Sequence, residues 1–195
     1  MIRAIVFDCF GVLATEGWGP FRYTHFRDNP EAAKRASELM RSANSGRMEY
    51  SEFLAELGRM AGVPASQVER ELHSNVADAE LFEYMTTLKS QYKLGMLSNA
   101  AGDWTARIFA PEQLKLLDAI ELSYESGYVK PEPEAYGLIA RRLGAGAAEC
   151  LMVDDQPRYC VAAEAAGMAS LAYVDAARFK RELPEVLARV TGAAA

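Results

Sequence analysis

Short apolar segments that alternate with helix-like segments constrain the fold of this chain more than any other feature. The segments of strand length, rich in branched and aromatic residues, are residues 2–8, 93–97, 119–123, 150–153 and 170–174. Between the last four of them, the apolar residues follow a helical period. The first is apolar at almost every position, as in a strand buried on both faces. Strands that alternate with helices predict an α/β fold, a doubly wound parallel sheet with helices on both faces.

A block of helical periodicity interrupts this pattern between the first and second strands, from about residue 15 to residue 90. Asn29-Pro30 predicts a helix start, because asparagine caps helices and proline suits the first helical turn. Residues 62–64 separate two further helices, and Asp78 can cap a fourth. We therefore predict an all-helical insertion within the α/β fold.

Proline and glycine mark the ends of the predicted helices in the second part of the chain. Pro133 begins a helix that Gly144 stops, and another helix ends at Gly167. A helical tail follows the last strand, and Pro184 is expected to break it. The Ala-rich residues 192–195 are expected to form a frayed end.

The composition of the 195 residues limits the classes of partner. Half of the residues are hydrophobic, which is enough to bury the core of one domain with a modest insertion. The formal net charge is −6, and no basic stripe with interleaved aromatic residues occurs. Nucleic acids and membranes are therefore not expected as partners, whereas a small-molecule substrate is. Nothing in the sequence indicates the oligomeric state.

The three cysteines, Cys9, Cys150 and Cys160, show no C-x-x-C spacing. We interpret them as reduced thiols in the core of a cytoplasmic protein, and not as a disulfide framework or a zinc site. Cys9 as a nucleophile is an alternative, but no histidine stands near it in the sequence. No basic leader precedes the first strand, and no apolar run reaches the length that spans a membrane.

Polar side chains stand where the predicted strands end. In chain order they are Asp8, Ser98, Asn99, Lys130, Asp154 and Asp155. In a parallel sheet, the carboxyl ends of the strands form the edge at which ligands bind. Each of these residues alone is explained by a helix cap, a turn or a surface charge. Their joint occurrence at one edge predicts a functional site.

These residues occur in four motifs, FDCFGVL, LSNA, VKPEP and MVDD. Their order resembles the haloacid dehalogenase-like (HAD) superfamily, most of whose members are magnesium-dependent phosphatases. The resemblance covers nearly the whole chain and implies a hydrolase. It also implies a core domain of residues 1–15 and 86–195, and a small helical cap of residues 16–85.

The resemblance implies a nucleophile and a magnesium site. Asp8 is the implied nucleophile, which forms an aspartyl-phosphate. The implied ligands of the magnesium ion are Asp8, Asp155 and the backbone carbonyl of Phe10. Asp154 is implied either to hold a water of the ion or to orient Lys130.

The resemblance also implies how the phosphoryl group is bound. Ser98 and the backbone N–H of Asn99 bind phosphoryl oxygens, while Lys130 neutralises both the nucleophile and the phosphate. Gly11, which permits the tight loop after Asp8, belongs to the same substrate-binding group.

Phe10 departs from the pattern of the superfamily. Its position usually holds a second aspartate, which protonates the leaving oxygen and later deprotonates the attacking water. Loss of general acid catalysis typically removes about 10²–10⁴-fold in rate. Three hypotheses remain. The first is a magnesium phosphatase for esters with an acidic leaving group, such as an anomeric sugar phosphate. The second is a 2-haloacid dehalogenase, whose halide leaves unaided, and the third is a catalytically weak binding protein. The pair Asp154-Asp155 favours the phosphatase, because a second carboxylate repels an anionic substrate unless a cation lies between them.

Residues at the start of the helical block have two interpretations. They either face the substrate or pack the cap against the core, and we favour packing for Trp18, Phe21, Arg22, Tyr23 and Arg27. We assign no role to His25 or His73. The substrate itself cannot be predicted from the sequence.

Overall fold

The computed structural model describes residues 1–192, which contain five β-strands and eleven α-helices. The strands are β1 (Ala4–Phe7), β2 (Lys93–Ser98), β3 (Ala119–Leu122), β4 (Cys150–Asp154) and β5 (Ala169–Ala172). The helices are α1 (Trp18–Phe26), α2 (Pro30–Asn44), α3 (Tyr50–Ala61), α4 (Ala65–Leu72), α5 (Ala79–Leu88), α6 (Thr105–Ile108), α7 (Pro111–Leu114), α8 (Ser123–Ser126), α9 (Pro133–Arg142), α10 (Pro157–Ala165) and α11 (Ala176–Gly192).

The five strands form one parallel sheet in the order β3-β2-β1-β4-β5. β1 lies at the centre, so that Ala4 pairs with Lys93 of β2 and with Cys150 of β4. The chain builds one side of the sheet from β2 and β3 and then returns across β1 to build the other. The predicted doubly wound α/β fold is confirmed.

Successive side chains of β1 enter two different apolar cores, one on each face of the sheet. Ile5 and Phe7 lie in the larger core, together with buried residues of α5 and α11. Ala4 and Val6 lie in the second core, together with buried residues of α9 and α10. Because both faces are covered, β1 is apolar throughout.

Helices α1–α4, which we call the helical insertion, pack around an apolar cluster of their own. Phe21, Phe53 and Val68 are buried in this cluster. α2 begins where it was predicted to begin, and the Oδ1 atom of Asn29 accepts a hydrogen bond from the Ala32 N–H at 3.0 Å. This bond satisfies one of the free donors of the first helical turn.

α5 packs on the sheet. Asp78 caps it as predicted, since the Leu81 N–H donates to Asp78 Oδ1 at 2.9 Å, and Leu81 lies in the larger core of the sheet. The division into a core of residues 1–15 and 86–195 and a cap of residues 16–85 stays a prediction. α5 (Ala79–Leu88) crosses the predicted boundary between residues 85 and 86.

The predicted break at Pro184 is wrong, because α11 continues through this residue. A proline inside a helix costs about 3 kcal/mol, since it removes one hydrogen bond and crowds the preceding turn. Leu183 and Val186 on either side of it are buried in the larger core, and this packing outweighs the cost. Of residues 192–195, only the first is described; the others lie outside the described residues.

Two further elements differ from the expectations. α1 was not predicted, because Gly19 and Pro20 stand in its first turn, and the Glu16 carboxylate accepts a hydrogen bond from the Gly19 N–H at 3.0 Å. Ser123 begins α8 and does not end β3. Within residues 1–192, no helix combines the length and the apolar character that crossing a bilayer requires.

Candidate active site

A cavity of about 330 Å³, which we call the main cavity, opens at the carboxyl edge of the sheet. Residues of the sheet loops and of the helical insertion both line it. The predicted site residues that line it are Asp8, Phe10, Asn99, Lys130 and Asp155. The other three, Gly11, Ser98 and Asp154, do not line it.

The pairing of β1 with β4 brings two of the predicted carboxylates together. Asp8 directly follows β1, and its backbone N–H donates to the Val153 carbonyl of β4 at 2.9 Å. Asp154 is the next residue of β4. The sheet register therefore sets Asp8 and Asp154 beside one another, at the edge where ligands bind in such sheets.

Lys130 joins these two carboxylates in a buried ion-pair network. Its Nζ atom lies 2.8 Å from Asp8 Oδ1 and 2.6 Å from Asp154 Oδ2. Burial by itself lowers the pKa of Lys130, but the two carboxylates outweigh this effect, so that its pKa is raised and the ammonium keeps its charge. Burial raises the pKa of Asp8 to about 7; Lys130 opposes this shift and the charge of Asp154 adds to it. A further cation beside Asp8 would favour its ionised form.

The loop that holds Lys130 is fixed by Asn99. The Lys130 N–H donates to Asn99 Oδ1 at 2.7 Å, and Asn99 Nδ2 donates to the Lys130 carbonyl at 2.9 Å. Asp154 is also fully engaged, because its second oxygen, Oδ1, accepts from the Gln156 N–H at 2.9 Å. The side chains of Asn99 and Asp154 therefore hold Lys130 in place.

Gly11 permits the close approach of Asp155. Its φ is +96°, a conformation that residues with a Cβ atom rarely adopt. A Cβ atom on Gly11 would also lie 2.7 Å from Cγ of Asp155. The loop after β1 can pass this carboxylate only with glycine at that position.

The acidic cluster fits a magnesium ion. Oxygen atoms of Asp8, Asp154 and Asp155 lie within 4.8 Å of one another. Oδ1 of Asp155 is buried and has no hydrogen-bond partner within residues 1–192, while Oδ2 accepts from Gln156 Nε2 at 2.7 Å. Burial raises the pKa of Asp155, and the hydrogen bond from Gln156 and the charge of Lys130 offset this shift only in part. Carboxylate oxygens are the ligands that magnesium prefers, and a cation here would supply the missing partner.

Ser98 lies behind the main cavity and outside its lining. It is the last residue of β2 and is only 1% exposed. Its Oγ atom is buried without a hydrogen-bond partner among the described residues. The role of Ser98 in binding a phosphoryl oxygen stays a prediction.

The three cysteines are buried and unpaired. Burial raises the pKa of the Cys9 thiol, and the charge of Asp8 adds to this shift. A protonated thiol is a weak nucleophile. The structure therefore disfavours Cys9 as the nucleophile.

The aromatic and basic residues at the start of the helical insertion have different environments. Trp18 and Arg22 line the main cavity. Phe21 is buried in the cluster of the helical insertion. Tyr23 is 66% exposed, and Arg27 pairs with its neighbour Asp28 at 3.3 Å. Packing against the core therefore does not describe this group, and two of its members face the cavity.

Several cavity residues were not predicted. Arg158 and Tyr159 line it at the start of α10, and the Tyr159 ring lies 4.8 Å from Lys130 Nζ. They follow the MVDD motif within one helical turn, and this closeness is the sequence signal that could have identified them. Tyr50, His73 and Trp104 also line it, and their positions in the sequence give no such signal.

A family model for haloacid dehalogenase-like hydrolases matches residues 2–167. This range contains the sheet strands β1–β4 and all the predicted site residues. The chain belongs to the haloacid dehalogenase-like hydrolases. The resemblance seen in the four motifs is confirmed, and the chain is an enzyme of this superfamily.

A sesquiterpene phosphatase from Aspergillus oryzae is 27% identical to this HAD hydrolase over 191 residues. The similarity covers 95% of this chain and 96% of the relative. A phosphatase is therefore found among its full-length relatives.

Solved structures of HAD enzymes share the fold. A HAD family enzyme from Bacteroides thetaiotaomicron, in complex with magnesium and inorganic phosphate, has a TM-score of 0.74 at 20% identity and covers 90% of this chain and 96% of its own. A 2-haloacid dehalogenase from Pseudomonas syringae has a TM-score of 0.64 at 17% identity, and the match covers 97% of this chain and 99% of the dehalogenase. A 2-haloacid dehalogenase and a HAD enzyme that binds magnesium and phosphate thus share this fold, and the fold alone does not decide the reaction.

Proposed function

We propose that this HAD hydrolase is a magnesium-dependent phosphatase that acts on a small phosphomonoester through an aspartyl-phosphate on Asp8. The observation that supports this proposal most strongly is the unpartnered Asp155 Oδ1 beside the Asp8–Lys130–Asp154 network. A phosphomonoester is a dianion, so a carboxylate can attack it only where positive charge is concentrated.

In the proposed reaction, a carboxylate oxygen of Asp8 forms a bond to phosphorus while the bond from phosphorus to the ester oxygen breaks. The electron pair of that bond remains on the departing alcohol oxygen. Lys130 keeps its proton and reduces the repulsion between Asp8 and the phosphoryl oxygens, with Ser98 and the Asn99 N–H as further donors. Water then attacks phosphorus, releases inorganic phosphate and restores the Asp8 carboxylate.

Magnesium is the proposed cofactor, with Asp8, Asp155 and the Phe10 carbonyl as its ligands. When bound, it would neutralise phosphoryl charge as a Lewis acid. Both oxygens of Asp154 accept hydrogen bonds from Lys130 and Gln156, which supports a role in orienting Lys130. Gly11 is proposed to act through the loop that it allows beside Asp155 and the phosphate.

A 2-haloacid dehalogenase is the second candidate, favoured by the aromatic residue at position 10 and by dehalogenases of the same fold. Asp155 argues against it, because a further carboxylate, with an oxygen that has no partner among the described residues, lines the cavity where an anionic haloacid would bind. The phosphatase among the full-length relatives supports the same choice. A protein that only binds its ligand is the third candidate, and the complete nucleophile and lysine network argues against it.

A small molecule is the proposed partner, and an anomeric sugar phosphate is one substrate with a leaving group of the required acidity. The cytoplasm is the proposed location, since three buried unpaired thiols suit a reducing compartment. Neither nucleic acid nor membrane is proposed as a partner.

The test is phosphate release from a panel of aryl and anomeric phosphates, with magnesium and with excess chelator. The proposal predicts release that chelator stops and added magnesium restores. Activity on 2-chloropropionate that persists in chelator would instead establish the dehalogenase.

A further inference from the structure

Four aromatic side chains form a continuous wall that begins next to the nucleophile. We call Phe10, Trp104, Tyr50 and Phe53 the ring wall, and all four line the main cavity. The ring centroids of Phe10 and Trp104 are 5.9 Å apart, those of Trp104 and Tyr50 5.6 Å, and those of Tyr50 and Phe53 6.1 Å. The wall therefore runs from the loop that carries Asp8 into the helical insertion.

Further apolar residues of the helical insertion line the same cavity. They are Trp18, Met40 and Leu72. Phe53 is fully buried, so the ring surfaces that a ligand can contact are those of Phe10, Trp104 and Tyr50. These half-buried rings gain free energy when they contact an apolar ligand, because both surfaces leave water. The side of the cavity opposite the sheet thus favours an apolar molecule.

Tyr50 and Glu16, two polar residues on that side, are engaged with protein groups. Tyr50 Oη lies 2.5 Å from Nε2 of His73. Both carboxylate oxygens of Glu16 accept from the Gly19 N–H, each at 3.0 Å. A sugar ring carries several hydroxyl groups, and each one buried without a partner opposes binding. On this side of the cavity, the side-chain groups that remain for a polar ligand are the Asn44 amide, Nδ1 of His73 and the Arg22 guanidinium, while the ring wall and its apolar neighbours offer a sugar little.

Positive charge stands at the margin of the cavity. Arg22 and Arg158 are exposed lining residues, and within residues 1–192 neither has a carboxylate at ion-pair distance. Unneutralised guanidinium groups attract an anion in a protein whose formal net charge is −6. The ligand that fits both features has an anionic end and an apolar body.

We propose that the main cavity takes phosphate esters of hydrophobic hydroxy compounds with an acidic leaving oxygen, such as phenols, with the organic group lying along the ring wall and Phe10 as its first contact. This inference rests on the proposed phosphatase function. It gives Phe10 a role in specificity at the position where an acid is usual in the superfamily. The organic group, with its ester oxygen, leaves phosphorus on the side of Phe10 and Trp104 as Asp8 bonds to phosphorus.

The experiment compares two aryl phosphates of similar leaving-group acidity and nearly equal size. They are 4-propylphenyl phosphate and 4-(2-hydroxyethyl)phenyl phosphate, with phenyl phosphate and glucose 1-phosphate as references. We expect kcat/KM to be at least about tenfold higher for the propyl compound than for the hydroxyethyl compound. Relative to phenyl phosphate, each methylene that the cavity buries should add up to about fourfold.

Ligand binding provides a readout that does not depend on turnover. Trp18 and Trp104 are the two tryptophans of the chain, and both line the cavity. Titration with the corresponding non-hydrolysable arylphosphonates should change tryptophan fluorescence at lower concentrations of the propyl compound. Trp104→Leu should reduce the propyl preference about tenfold, whereas Tyr84→Leu, a half-buried tyrosine outside the cavity, should leave it unchanged.

The outcomes separate this inference from the function on which it rests. Phosphate release from all the esters with equal or reversed preference, or fastest release from glucose 1-phosphate, overturns the inference and leaves the phosphatase intact. Tighter binding of the propylphosphonate without phosphate release from any ester overturns the phosphatase and still supports recognition of an apolar anion by the ring wall.

Discussion

Removal of the Lys130 ammonium should destabilise the protein far more than removal of a surface lysine. In Lys130→Met, the carboxylates of Asp8 and Asp154 lose a cation at 2.8 Å and 2.6 Å, respectively. The three side chains are at most 9% exposed, so water cannot replace the ammonium. Loss of one partner from a buried ion pair costs about 3–5 kcal/mol. For a chain of 195 residues this corresponds to a decrease in Tm of about 6–20 °C.

The matched control is Lys93→Met. Lys93 pairs with Asp118 at 3.2 Å, but its side chain is 61% exposed. Pairs of this kind contribute about 0–1 kcal/mol. Urea denaturation with chelator present measures the free energy of unfolding of both variants. If Lys130→Met costs no more than Lys93→Met, or if adding Asp154→Asn to Lys130→Met restores none of the loss, the network is not as described.

Three further predictions follow from the loop after β1 and from the helical insertion. Gly11→Ala should fold but bind magnesium at least about tenfold more weakly, as measured by calorimetry. The added Cβ would lie 2.7 Å from Asp155 Cγ, in a backbone with a φ of +96°, and unchanged magnesium affinity would contradict this prediction. Burial lowers the pKa of His73, so the unfolded chain binds its proton more tightly and the contribution of His73 to stability should fall as the pH drops below about 6.5. Asp8, whose pKa is raised, acts in the opposite direction in both proteins, so the test is the difference in Tm between wild type and His73→Gln. This difference should shift in favour of the variant as the pH falls, and a constant difference would refute the effect. Across a graded series of phosphate esters, phosphate release by the wild type should depend steeply on leaving-group acidity, with aryl esters fast and alkyl esters slow. Phe10→Asp should flatten this dependence. A wild type that releases phosphate equally fast from aryl and alkyl esters has another general acid.

Much of the fold could be predicted because strand and helix periods are local properties of the sequence. The five strands and the caps at Asn29 and Asp78 are marked by residues that are neighbours in the sequence. Pro184 was not predicted correctly, because packing in the larger core outweighs its local preference. α1 was not predicted because Gly19 and Pro20 stand in its first turn, where the Glu16 carboxylate accepts from the Gly19 N–H. Packing of Leu183 and Val186 against the sheet cannot be read from a proline in a helical pattern.

The residues of the candidate site also divide into those that the sequence could predict and those that it could not. Residues at the strand ends were predictable, since parallel strands bring their carboxyl ends to one edge. The ring wall was not, because Tyr50 and Phe53 lie in α3, far from the motifs in the sequence. Only the folded helical insertion brings their rings to Trp104 and Phe10.

Acid quenching during turnover tests the central claim, nucleophilic attack by Asp8, most directly. With phenylalanine at position 10, no carboxylate there activates the water that hydrolyses the aspartyl-phosphate, so this intermediate should accumulate. The wild-type protein is quenched in acid during turnover, with magnesium, of an aryl phosphate that is radiolabelled in its phosphoryl group. We predict that the label is then found on the peptide that contains Asp8. Asp8→Asn, folded by circular dichroism, should carry none and release no phosphate. Phosphate release by Asp8→Asn, or label on a different residue of the wild type, would contradict the account.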